Sequence, residues 1–134
     1  MVSAALLIAA QVPAQTEKSH KVVIQVSSDD PATHRIALNN AVNLQQALGR
    51  GRVDIEIVAY GPGLSIMIAG GPESSRIPEL AGREIRFSAC GNTRSRMEER
   101  TGKPLELVSG VRVVPAGVTR ILELQEQGYT YLRP

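Results

Sequence analysis

The sequence predicts an α/β domain built on a mostly parallel sheet with right-handed crossovers. Three observations carry this. Apolar runs that read as strands alternate down the chain with helical patterns. The first such run, Val22-Val23-Ile24 with Val26, is nearly continuous and β-branched, as in a strand covered on both faces. Short polar or Gly/Pro-rich junctions (Ser27 to Asp30, Gly61 to Gly63, Cys90 to Thr93, Pro115 to Gly117) separate strands from the helical segments that follow.

The 134 residues suffice for one domain with one sizeable core, and no linker or internal repeat divides them. With one Phe, three Tyr and no Trp, that core must be made of Val, Ile, Leu and Ala. A net charge of +2 is too small to imply nucleic acid and no basic run of five or more occurs, so no nucleic-acid partner is expected. The single cysteine, Cys90, cannot form an internal disulfide.

Residues 1–14 carry no charged side chain, and Ala4 to Ala10 is apolar. Val12 and Ala14 fit the small-residue rule for signal-peptidase cleavage, so 1–14 read as a signal peptide and 15–134 as the domain. The n-region lacks Lys or Arg, and the other reading is a buried first helix or strand. A periplasmic or secreted location follows if the signal is real, a cytoplasmic one otherwise. The run is too short for a stable membrane anchor.

Lys21 to Ser27 is the first strand. Asp30 is a natural N-cap and Pro31 suits the first helical position, so a helix starts there. Ala37, Ala41, Leu44 and Leu48 form its apolar stripe, widened by Leu38 and Val42, and Gly49 and Gly51 end it. His34, one turn in, reads as a solvated surface residue. Val53 to Tyr60 is the second strand. Leu64 to Ala69 after the Gly61-Pro62-Gly63 turn reads as a buried helix, or as a subunit interface. Pro72 to Gly82 is a loop with one helical turn around Ile77 to Leu80. Glu84 to Ala89 alternates as a third strand, and a polar helix capped by Asn92 or Thr93 follows to Thr101. Leu105 to Val108 is a short extended piece and Val111 to Val114 the fourth strand. A last helix, Val118 to Gln127, packs through Val118, Ile121 and Leu122 with Leu124 at its margin. Tyr129 to Leu132 is a fifth, edge strand.

Ligands of parallel sheets gather at the carboxyl ends of the strands, where the four junctions lie. Asp29, Asp30, Gly61, Gly63, Pro115 and Gly117 are therefore candidate pocket residues. Capping accounts for Asp30 in full, and Gly61 and Gly63 also serve simply as turn residues. Cys90 is the candidate nucleophile. A helix start at Gly91, Asn92 and Thr93, with Arg94 close by, favours thiolate, the reactive form. The competing reading is a buried structural thiol. No P-loop, dinucleotide fingerprint or metal-ligand spacing occurs, so neither cofactor nor metal is expected.

Four segments together, KVVIQVSSDD, Ala59 to Gly63, FSACGNT and VVPAGVTRILELQEQGYTYLRP, resemble the DsrE/DsrF-like (YchN-like) family linked to sulfur oxidation. The resemblance covers residues 20–134. It implies a three-layer α/β/α sandwich with a five-stranded parallel sheet and assembly into trimers or hexamers. It also implies that Cys90 corresponds to the family's sulfur-carrying cysteine, working with donor and acceptor proteins. Two functions are then open. One is a sulfur-relay protein with a persulfide on Cys90. The other is a non-catalytic oligomeric module that binds a small molecule or anion.

Overall fold

The structure, a computed structural model, describes residues 1, 2, 4–10 and 18–134. In chain order the elements are β1 (His20–Val26), α1 (Pro31–Leu48), β2 (Val53–Ala59), a 3-10 helix (Gly61–Met67), α2 (Arg76–Gly82), β3 (Arg86–Cys90), α3 (Gly91–Thr101), β4 (Val111–Val114), α4 (Gly117–Glu126) and β5 (Thr130–Leu132).

The five strands form one sheet in the order β4-β3-β2-β1-β5, and every pairing is parallel. The first three crossovers all step the same way across the sheet, so right-handedness sends α1, α2 and α3 to one face. After β4 the chain must return past three strands to lie beside β1. That reversal puts α4 on the opposite face and completes the α/β/α layering.

The register shows the two faces. Val22, Ile24 and Val26 of β1, Ile55, Ile57 and Ala59 of β2, and Phe87 and Ala89 of β3 share the larger core with Ala37, Leu38 and Ala41 of α1. Val23 and Val58 face the other way, against Ile121 and Leu124 of α4 and Tyr129. The expected cap is in place: the Asp30 carboxylate accepts from Thr33 N at 2.8 Å, with Pro31 opening the helix.

Several expectations are corrected. The segment after Gly61 is helical and buried as expected, but it is a 3-10 helix that starts at Gly61, and Leu64, Ile66 and Met67 pack in the chain's own core and not at a subunit interface. His34 is buried, its Nε2 2.7 Å from Ser28 O, because the first turn of α1 folds back over the end of β1. α4 is rotated from its expected setting. Gly117, Ile121 and Leu124 are its buried stripe, whereas Val118 and Leu122 are 66% and 56% exposed.

Among the described residues no helix is long and apolar enough to cross a membrane. Ala4 to Ala10 is exposed and neither helix nor strand, so it does not form a buried first element. The cleavage position after Ala14 lies outside the described residues.

Candidate functional site

The sheet topology selects one crevice. The chain leaves β1, β2 and β3 toward one face and leaves β4 toward the other, so the loops after β3 and β4 diverge. Such a switch point is where open parallel sheets bind ligands. Cys90, the last residue of β3, and Val114 to Gly117, leading from β4 into α4, form its two walls.

Backbone packing draws these walls together. A Cβ on Gly91 would lie 2.9 Å from Val114 O, and Asn92 N donates to Pro115 O at 3.2 Å. A Cβ on Gly117 would stand 3.0 Å from Tyr60 and 3.3 Å from the Cys90 Cβ. Both glycines are thus spacers that let the two loops close around the thiol.

Cys90 itself is the N-cap of α3, so the helix begins earlier than a cap at Asn92 or Thr93 would allow. An N-cap side chain stands among the free amides of the first turn. Burial pushes the thiol pKa up, since the residue is only 5% exposed. The Thr93 hydroxyl and the backbone N–H groups of Thr93, Gly117 and Asn92 outweigh this and hold it below the ordinary thiol value. The Asn92 N–H also donates to Pro115 O at 3.2 Å. Thr93 is the main partner. Its hydroxyl also accepts from Gly61 N at 2.9 Å, which ties the end of β2 to the thiol.

The other expected site residues divide. Asp29, Gly61 and Thr93 line a cleft of about 420 Å³ with Ser65, Arg96 and Arg100. Pro115 lines a separate cleft of about 280 Å³ beside Arg112 and Arg120. Gly117 lies between, against the thiol. Asp30 only caps α1, and the Thr33 amide it accepts from holds its carboxyl below the usual range. Gly63 is pressed against the backbone of β1. Arg94 is engaged away from the sulfur: Nη2 donates to Leu105 O at 3.0 Å and Nε lies 2.9 Å from Glu98. Arg94 is thus committed elsewhere and is not among the groups that lower the Cys90 pKa. Among the described residues no group of three or more His, Cys, Asp or Glu is arranged to hold a metal.

No family model and no curated protein matches the chain. A solved structure does: MTH1491 from Methanobacterium thermoautotrophicum, a protein of unknown function, is 34% identical over 86% of this chain and 99% of its own, with a TM-score of 0.76. This chain belongs to the MTH1491 family. Two more distant structures show the same fold. YchN from E. coli is 13% identical over 86% of this chain and 99% of its own, at a TM-score of 0.68. BT1422 from Bacteroides thetaiotaomicron, a conserved protein of unknown function, is 17% identical over 90% and 100%, at 0.61. The resemblance to the DsrE-like, YchN-containing group thus holds at the level of fold.

Sequence reasoning missed one feature of this MTH1491-family chain. Beneath α4, Glu56 is fully buried and meets three guanidiniums. Arg120 donates to both its oxygens at 2.8 Å, Arg112 donates to Oε1 at 2.8 Å, and Arg86 Nη2 lies 3.2 Å from Oε2. Ser88 adds a hydrogen bond at 2.7 Å. Burial raises the Glu56 pKa, but these donors, Arg120 first, lower it to about 2. The signal was present as a parity: Asp54 and Glu56, then Arg86 and Ser88, then Arg112, fall at every second position of three strands. It could be read only once those strands were known to be neighbours. The cluster clamps α4, and hence the Gly117 side of the crevice, onto the sheet.

Proposed function

We propose that the chain is a sulfur carrier that holds sulfane sulfur as a persulfide on Cys90. The observation that carries this is a thiol of lowered pKa at the N-cap of α3, in the switch-point crevice. The resemblance of the FSACGNT and VVPAGVT segments to the DsrE/DsrF-like group supports it. In the step envisaged, the Cys90 thiolate attacks the outer sulfur of a donor persulfide, R–S–SH. A bond forms between Sγ and that sulfur, the R–S bond to it breaks, and the electron pair leaves with the donor as thiolate. No oxidant is consumed. An acceptor thiolate takes the sulfur by the same exchange.

The experiment is intact-mass analysis after incubation with a persulfide donor. The wild-type chain gains about 32 Da, reversible by reductant, and Cys90→Ala does not. An unchanged mass while a small alkylating reagent still modifies the thiol removes the proposal. The same spectrum of exported protein reads the proposed signal peptide, as a chain beginning at Gln15.

The 5% exposure of Cys90 favours a second reading, a binding module in which the thiol is only a wall. That reading expects a thiol inert to alkylation, and ligand binding that survives Cys90→Ser.

The trimers or hexamers implied by the resemblance belong to the same proposal. Exposed Val118 and Leu122, on the side of α4 turned away from the sheet, supply an apolar face for self-association. Light scattering is expected to show an oligomer that Leu122→Arg reduces to monomers; a monomeric wild-type chain contradicts it.

A further inference from the structure

The larger cleft has a chemistry of its own. It opens at the carboxyl edge of the sheet, and at about 420 Å³ it lies within the range of small-molecule sites. Arg96 and Arg100 are one helical turn apart on α3 and both line it. Among the described residues neither forms an ion pair or donates a side-chain hydrogen bond, unlike Arg94 on the same helix. Two like charges at this spacing repel, costing a few tenths of a kcal/mol, which the placing of Arg100 in the last turn of α3 offsets only in part.

Ser65 supplies a second anomaly. Its hydroxyl oxygen is shut off from solvent with no hydrogen-bond partner, although the residue lines the cleft. A buried unpaired hydroxyl costs about 1–3 kcal/mol and calls for an explanation. Asp29, at the end of β1, brings one negative charge to the same space. Thr93 lines the cleft and also borders the thiol, so it stands between the two.

The cleft thus presents two unpaired cations, one anion and the Met97 thioether, with Thr93 between it and the Cys90 thiol. We infer that it binds a low-molecular-weight α-amino-acid thiol or its persulfide. The carboxylate sits on Arg96 and Arg100, the ammonium faces Asp29, and the sulfur end lies toward Thr93 and Cys90. An arginine pair suits a carboxylate because guanidinium–carboxylate bonds are charge-assisted and directional. The inference rests on the sulfur-carrier reading and names its small-molecule partner.

The test is amide-shift titration of Cys90→Ser protein with S-methyl-L-cysteine, which cannot transfer sulfur. Saturable shifts are expected in residues 61–65 and 91–100. S-Methylcysteamine, which lacks the carboxylate, is expected to bind about tenfold more weakly or worse, as is S-methyl-L-cysteine to the Arg96→Gln/Arg100→Gln pair in the same background. Both arginines are exposed, so the double variant keeps its fold, and its amide spectrum reports this directly. No saturable shift, equal affinity for the amine lacking a carboxylate, or an unaffected double variant each overturns the inference. Failure here with the mass gain on Cys90 intact removes only the ligand assignment. Binding here without any mass gain removes only the persulfide.

Discussion

Replacing Glu56 with Gln is expected to destabilise the chain by about 3–5 kcal/mol, because it leaves three guanidiniums around a site that no longer carries charge. In urea the unfolding midpoint should fall by about 2 M. The effect also has a pH signature. The folded pKa of about 2 lies below the model value of 4.5. The stabilisation, about 3 kcal/mol by linkage, is therefore fully present above the unfolded-state pKa and is lost as pH falls from about 5 toward 2. Wild type and Glu56→Gln should converge in stability near pH 2. A constant gap from pH 7 to pH 2 would show that the cluster acts through shape and not through charge.

Gly63→Ala is expected to cost about 3 kcal/mol or more, or to abolish folding. A Cβ there would lie 2.2 Å from Val26 O, 2.5 Å from Val26 C and 2.7 Å from Ser27 Cα. All three are backbone atoms of the end of β1, and Val26 O also accepts from Tyr60 N at 3.1 Å. Neither partner can turn aside as a flexible side chain would. Gly61→Ala is the control. Its φ of +55° is strained for alanine, yet a Cβ meets nothing within 4 Å, so about 1 kcal/mol is expected. Chemical denaturation of the two variants decides it: a Gly63→Ala chain no less stable than Gly61→Ala contradicts the close-packed reading. The consequence for the site is that Gly63 serves packing while Gly61 lines the cleft.

Much of the fold could be read from local signals. Asp30 and Pro31 mark the start of α1 because capping and proline geometry depend on adjacent residues only. The junction holding Cys90 was legible for the same reason. The exact cap was not: Asn92 and Thr93 are better capping types, but β3 hydrogen-bonds to β4 as far as Cys90, and that ladder sets where the helix begins. In α4 two apolar stripes compete, one through Val118 and Leu122, the other through Gly117, Ile121 and Leu124. Glu56 holding Arg120, and Tyr60 lying against Gly117, choose the second. His34 has a polar side chain at a helical surface position, and only the return of α1 over Ser28 buries it.

The sequence by itself determined the alternation of strands and helices, the first helix cap and the placing of the only thiol at a strand-to-helix junction, because each depends on residues within a few positions of one another. Strand order, the reversal that sends α4 to the far face, the burial of Glu56 among three arginines and the cleft joining Asp29 to Arg96 and Arg100 belong to the tertiary structure alone. These bring together groups tens of residues apart, and pairing at that distance is decided by which surfaces fit and which charges must be neutralised once water is gone.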